Sequence, residues 1–373
     1  MKQIKVMSIF GTRPEAIKMC PLVKELERRS QFESMVCVTA QHRQMLDQVL
    51  KVFDIQPDYD MNIMSSGQTL YDITSRVLSG LGDLFQKVRP DLVLVHGDTT
   101  TTFTAALAAF YAKIPVGHVE AGLRTFDKYS PFPEEMNRCL TGRIAELHFA
   151  PTENNKKNLI HENITQNIYV TGNTVIDSFA YTIQKDYVFH DELLNHINFS
   201  DGRYILLTAH RRENLGQPLE NICNAVKDIV EEFPDIHVIY PVHLNPAVRN
   251  TVFPSLGGHA RIHLIDPVDV TDMHNLMAKC FLVMTDSGGL QEEAPSLGSP
   301  VLVLRTETER PEAVAAGTAK LAGIERETIF YMAKELITDE QKYREMAKAV
   351  NPYGDGHASE RIAQAIVKHF VND

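Results

Sequence analysis

With 373 residues the chain exceeds what one hydrophobic core usually serves, so two domains are expected. Its 44% hydrophobic and 23% charged residues suit a globular protein; no apolar run reaches the roughly 18 residues of a membrane span, and the opening residues carry no signal-peptide pattern. The net charge of −11 argues against a nucleic-acid surface, and five cysteines without CxxC spacing argue against a disulfide framework or a zinc site, which suits a reducing cytoplasm.

Short β-branched runs alternate with longer segments of helical period. In chain order they are Ile4–Phe10, Met35–Ala40, Leu92–His96 and Val116–Glu120, then Tyr204–Thr208, His237–Tyr240, Ile262–Ile265, Leu282–Thr285 and Val301–Leu304. Strands separated by helices require right-handed crossovers, so the pattern predicts an α/β fold of parallel sheets, with enough strands for two. A boundary is expected near residue 170, after Tyr169-Val170-Thr171-Gly172-Asn173 and before the polar stretch 186–203. Asn351-Pro352-Tyr353-Gly354-Asp355-Gly356 interrupts the helical pattern, and 358–370 reads as a last amphipathic helix.

Ligands of open α/β sheets sit beyond the carboxyl ends of the strands, so the informative residues should follow strands directly. After the first comes Gly11-Thr12-Arg13-Pro14-Glu15-Ala16-Ile17-Lys18. Thr12 and Glu15 have capping-box spacing and Pro14 suits a first turn, which leaves Arg13 and Lys18 as cations near a helix start, a plausible phosphate site. After Leu92–His96 comes Gly97-Asp98-Thr99-Thr100, where Asp98 fits either an N-cap or a reactive acid. Val116–Glu120 delivers Glu120, and Pro133-Glu134-Glu135 opens another helix, with Glu134 equally suited to a dipole-complementing first turn. Asp98, Glu120 and Glu134 together suggest proton transfer, because crowded carboxylates separate into acid and base.

In the second half, Thr208-Ala209-His210-Arg211-Arg212 places a histidine and two arginines at a strand end. Asp286-Ser287-Gly288-Gly289-Leu290-Gln291-Glu292-Glu293 has the small residues that expose backbone N–H groups to a diphosphate, with Glu293 within reach of a ribose; a glycine-rich turn alone is the other reading. Arg310, before Pro311, is a further candidate anion clamp. No GxGxxG follows a strand, and neither a P-loop nor an HExxH motif is present, so no nicotinamide, flavin or metal cofactor is expected.

Taken in order, Gly11-Thr12-Arg13-Pro14-Glu15, His96-Gly97-Asp98-Thr99-Thr100, His118-Val119-Glu120-Ala121-Gly122-Leu123-Arg124, Pro133-Glu134-Glu135, His210-Arg211-Arg212-Glu213, Thr285-Asp286-Ser287-Gly288-Gly289, Gln291-Glu292-Glu293-Ala294-Pro295 and Asn351-Pro352-Tyr353-Gly354-Asp355-Gly356 resemble the bacterial non-hydrolysing UDP-N-acetylglucosamine 2-epimerases. The resemblance runs from the first strand to the last helix. It implies a glycosyltransferase-B-like fold: two Rossmann-like domains with parallel sheets facing a central cleft. Residues 1–170 would form the N-terminal domain, rejoined by the C-terminal helix 357–373, and 171–356 the UDP-binding domain. It further implies a cytoplasmic homodimer without membrane or nucleic-acid partners that inverts C2 through elimination of UDP and re-addition; a hydrolysing epimerase is the alternative.

Carried over by position, the resemblance assigns catalysis to Asp98, Glu120, Glu134 and His210. Substrate contacts would be Arg13, Lys18, Asp98, Glu120, His210, Val268, Met273, Ser287, Gly288, Gly289, Glu293 and Arg310. Some bacterial members bind a second UDP-N-acetylglucosamine as an allosteric activator, and the matching positions are Gln41, Gln44, Glu134, Arg211 and His243. Two positions depart from the pattern: Met273 stands where many relatives carry Phe beside the uracil, and Gly67 where some carry Arg before Gln68-Thr69.

Overall fold

The computed structural model describes residues 2–39, 43–63 and 67–372, and the chain divides into two compact units, Met1–Tyr181 with Tyr353–Asp373, and Thr182–Pro352. The first holds a seven-stranded sheet built from β1 (Ile4–Phe10), β2 (Phe32–Val38), β3 (Tyr59–Asp60), β4 (Leu92–His96), β5 (Val116–Val119), β6 (Leu147–Ala150) and β7 (Ile168–Val170). Its order is β3-β2-β1-β4-β5-β6-β7, with every pairing parallel. The second holds β8 (Arg203–Thr208), β9 (Ile236–Pro241), β10 (Ile262–Ile265), β11 (Leu282–Thr285), β12 (Val301–Val303) and β13 (Ala319–Leu321), ordered β10-β9-β8-β11-β12-β13 and again parallel throughout. Nine strands were expected. The four others, β3, β6, β7 and β13, are two to four residues long.

Strands buried on both faces read as unbroken apolar runs, and β4 (LVLVH) and β11 (LVMT) are buried at every position. In the first unit Met7, Ile9, Val93 and Val95 pack with Val77, Leu81 and Phe85 of the helix Leu70–Lys87. In the second, Ile205, Leu207, Val238 and Met284 pack with Ile222, Val226 and Ile229 of the helix Gln217–Glu232.

The order in each sheet reverses at one place, between β1 and β4 in the first unit and between β8 and β11 in the second. Loops leaving adjacent strands diverge there and open a crevice at the carboxyl edge. The loops at those points are Gly11–Thr12 and Gly97–Thr99, and Ala209–Arg211 and Asp286–Ser287.

The unit boundary lies at Tyr181–Thr182 rather than near 170, because 171–181 is tied to the first unit. Asn173 caps the short helix Thr174–Asp177, which packs on the helix Arg13–Arg28. The Asp177 carboxylate then accepts from the backbone N–H groups of Ala358 (3.2 Å) and Ser359 (2.7 Å), capping the last helix, Ala358–Asn372. That helix also packs on Arg13–Arg28, so the chain rejoins the first unit at Tyr353, whose carbonyl accepts from the Asn173 N–H at 2.6 Å.

Candidate active site

The capping box foreseen at the first helix forms: the Thr12 side chain accepts from the Glu15 N–H, and Glu15 Oε2 accepts from the Thr12 N–H at 2.8 Å. Glu15 Oε1 accepts from the Thr99 and Thr102 hydroxyls at 2.8 and 3.2 Å, which stitches the loops after β1 and β4 together, and burial pushes the Glu15 carboxyl upward. Gly11 serves packing, since a Cβ there would lie 2.0 Å from Thr39 Oγ1. Arg13 is the first residue of the helix and exposed. Lys18 is one and a half turns further in and pairs with Glu120, so of the two cations only Arg13 stands at the helix start.

Asp98 is not the cap of the helix Thr100–Tyr111. Thr99 is, its hydroxyl accepting from the Thr102 N–H at 3.1 Å. The Asp98 carboxylate instead receives Arg138, with Nε at 2.8 Å and Nη2 at 2.7 Å from Oδ2. Arg138 is buried and its Nη1 donates to Glu135 (3.0 Å), whose carboxylate also accepts from the Thr125 and Phe126 N–H groups. Asn137 donates to the Asp98 carbonyl at 2.9 Å. Burial moves the Asp98 carboxyl up, Arg138 opposes that shift, and Glu120 adds to it.

Glu120 follows β5 with φ of +63°, a left-handed backbone that a non-glycine residue adopts at a cost of about 1–3 kcal/mol. The turn is held because Ala121 N–H donates to the Phe149 carbonyl (3.0 Å) and Gly97 N–H to the Val119 carbonyl (2.9 Å). The Glu120 carboxylate pairs with Lys18, accepts from Asn173 Nδ2 at 3.1 Å, and lies 3.8 Å from His96 Nε2. Burial lowers His96 to about 4, so this imidazole is neutral at pH 7. His118 is lowered to about 3 for the same reason and, being neutral, donates from Nε2 to the Gly97 carbonyl at 2.7 Å, bracing the turn that presents Asp98.

Glu134 is the first residue of the helix Glu134–Ile144 and half-buried, four residues before Arg138 and thus on the same helix face. Among the described residues its carboxylate makes no hydrogen bond to Asp98 or Glu120.

In the second unit the anchor is Asp286, fully buried at the end of β11. Its Oδ2 accepts from the N–H groups of His210 (2.7 Å) and Arg211 (2.8 Å) and from Asn214 Nδ2 (3.0 Å), which fixes the loop after β8. The His210 ring stacks on His243 at 5.0 Å, and desolvation lowers its proton affinity. At the turn Ser287–Gly289, guanidinium nitrogens of both Arg310 and Arg211 lie within 4.0 Å of where a Gly288 Cβ would project. Arg310 is itself paired with the buried Glu292. Two arginines, one glycine turn and the His210 ring make a surface suited to a diphosphate.

Val268 and Met273 flank the start of the helix Val270–Lys279, both half-buried. Gln41 lies outside the described residues, and of Gln44 only the backbone, in the helix Arg43–Val52, is described. His190, Asp269 and Asp272 bring ligand atoms within 4.8 Å of one another. That group fastens a loop: Asp272 accepts from the Tyr187 hydroxyl and the N–H groups of His190 and Asp191, while Asp269 caps its helix.

Sequence reading missed Glu135, Asn137, Arg138 and Asn173. The first three lie within four residues of Glu134, a proximity that could have found them; Asn173 stood in the motif taken as a boundary.

Two parallel α/β units, with acids after adjacent strands β4 and β5 of one sheet and arginines around a glycine turn of the other, have the architecture of a nucleotide-sugar enzyme of glycosyltransferase-B-like fold. The family model described as UDP-N-acetylglucosamine 2-epimerase matches residues 24–367, and the chain belongs to that family of isomerases. It is 58% identical to the UDP-N-acetylglucosamine 2-epimerase of Bacillus subtilis strain 168 over 371 residues, 99% of this chain and 97% of that one. The UDP-GlcNAc 2-epimerase of Neisseria meningitidis, solved bound to UDP-GlcNAc, is 49% identical with a TM-score of 0.88, over 98% of this chain and 100% of that one. Staphylococcus aureus MnaA, solved with UDP, is 54% identical with a TM-score of 0.86, over 100% and 97%.

Proposed function

We propose that the chain epimerises UDP-N-acetylglucosamine reversibly at C2, giving UDP-N-acetylmannosamine without releasing free sugar. The observation that carries this reading is the half-buried pair of acids, Asp98 and Glu120, each faced by its own cation, Arg138 and Lys18. C2–H of the sugar has no neighbouring carbonyl to acidify it. Loss of UDP from C1 supplies that activation: one acid/base group takes the C2 proton, the C1–O electron pair leaves with UDP, and C1=C2 of 2-acetamidoglucal forms. The UDP oxygen then returns to C1 and a proton is delivered to C2 from the opposite face, so nothing is gained or lost overall. Asp98, Glu120 and Glu134 serve the two faces.

Departing UDP is stabilised by Arg13, His210, Arg310 and the Ser287–Gly289 turn, with Glu293 at the ribose and Val268 and Met273 beside the uracil. The scheme needs neither metal nor redox cofactor. In D₂O the epimerised nucleotide sugar should carry deuterium at C2, read by proton NMR. Product without label, or free N-acetylmannosamine accumulating with UDP, would remove this mechanism, the latter in favour of a hydrolysing epimerase.

The reading extends to a cytoplasmic homodimer activated by a second UDP-N-acetylglucosamine at Gln41, Gln44, Glu134, Arg211 and His243. Two contacts support it: His243 stacks on His210, and Arg211 shares the surroundings of Gly288 with Arg310. A ligand on the first of each pair biases the second by its differential affinity for the two arrangements. Rate should then rise sigmoidally with UDP-N-acetylglucosamine, and UDP-N-acetylmannosamine alone should react slowly until some UDP-N-acetylglucosamine is added. Hyperbolic forward kinetics with full reverse activity would leave the chemistry without the switch.

A further inference from the structure

We infer that His274, held by Thr182, is the positioning residue that aims the Glu293 carboxylate at the ribose of the bound nucleotide. The inference rests on the assignment of UDP to the second unit and names how one of its contacts is built.

His274 and Thr182 are both fully buried, and the Thr182 hydroxyl lies 2.8 Å from His274 Nδ1. On the far side of the ring, Nε2 lies 3.4 Å from Glu293 Oε2. A carboxylate can only accept, so the ring atom facing Glu293, Nε2, carries a proton, and the Thr182 hydroxyl is the partner of Nδ1. Thr182 is fixed in turn, since its carbonyl accepts from Asn275 Nδ2 at 2.7 Å, and Asn275 Oδ1 accepts from the Gln184 N–H at 3.0 Å.

The other carboxylate oxygen, Glu293 Oε1, lies 3.2 Å from where a Cβ on Gly289 would stand, so it sits beside the glycine turn. Glu292, one residue earlier, pairs with Arg310. The two consecutive glutamates thus divide the work: one sets the cation, the other sets an acceptor. A glutamate side chain has three rotatable bonds to immobilise on binding, and a buried ring held at Nδ1 and facing the carboxylate through Nε2 removes part of that freedom beforehand. His274 also follows Met273 on the helix Val270–Lys279, so one helix would carry a residue beside the base and the residue that orients the ribose acceptor.

The test compares affinities for UDP and for 2′,3′-dideoxy-UDP by calorimetry, in the full chain. In the wild type the dideoxy compound should bind roughly 10- to 100-fold more weakly, the range for a hydrogen bond to a charged group. Glu293→Ala should bring that ratio close to one. His274→Leu should lower it at least about fivefold by weakening UDP while leaving dideoxy-UDP unaltered; His274→Gln, which places an amide N–H near the Nε2 position, should restore most of it, and Thr182→Val should fall between. A role in packing alone would weaken both ligands alike. If Glu293→Ala abolishes the discrimination and His274→Leu keeps it, the positioning role is overturned and the ribose assignment stands. If Glu293→Ala keeps it, or the wild type binds no UDP, the assignment itself fails and this inference with it.

Discussion

Asp98→Asn and Glu120→Gln should each lower kcat by about 10²- to 10⁴-fold, the range for loss of a general acid or base, while UDP affinity stays at the wild-type value. Both replacements keep size and one oxygen acceptor, so they remove proton transfer with little change of shape. UDP binding should survive because neither acid is among the groups assigned to UDP, most of which, His210, Ser287–Gly289, Glu293 and Arg310, belong to the other unit. Asp98 carries a second signature. Burial raises its proton affinity above that of a free aspartate, so the acid limb of kcat/KM should lie above the ordinary aspartate range and be absent from the residual activity of Asp98→Asn. Kinetics by product NMR and UDP titration by calorimetry check both statements. Losses below about tenfold in both variants would leave the two acids as structural groups.

The sheets were legible because buried parallel strands announce themselves as apolar runs, and the strand-end rule then led to Asp98, Glu120, His210 and Ser287–Gly289 without any contact being known. What sequence left open was which of two roles a residue fills. Asp98 and Thr99 are both good N-caps; only the geometry shows Thr99 taking that role and Asp98 released for Arg138. Lys18 and Glu120 are 102 positions apart, and no local pattern pairs them. Asn173 was hidden by its own usefulness as punctuation: the Gly172-Asn173 step does end a segment, yet its side chain both caps a helix and reaches Glu120. The boundary moved for the same reason, since Asp177 looks like any polar helix residue until the chain returns 181 residues later to be capped by it.

Arg138→Met should destabilise the protein by about 3–5 kcal/mol and also depress turnover, because it strands two carboxylates that one guanidinium now serves. Arg138 touches Asp98 through Nε and Nη2 and Glu135 through Nη1, a fork that methionine fills by volume but not by charge. Glu135 keeps its bonds from the Thr125 and Phe126 N–H groups, whereas Asp98 loses the strongest influence holding its proton affinity down. The sign follows. A carboxyl raised in the folded state contributes stability that is fully present below its unfolded pKa and is lost as pH rises through the folded value. The penalty of Arg138→Met should therefore be largest at neutral and alkaline pH and shrink towards the ordinary aspartate range, and the limb of the rate profile belonging to Asp98 should move to higher pH. Arg138→Lys retains the charge without the fork, so it should recover stability before it recovers rate. Urea titrations at several pH values, set beside pH–rate profiles of the same variants, separate the two effects. A destabilisation independent of pH, with an unshifted rate profile, would mean that Arg138 packs the helix Glu134–Ile144 and does not govern Asp98.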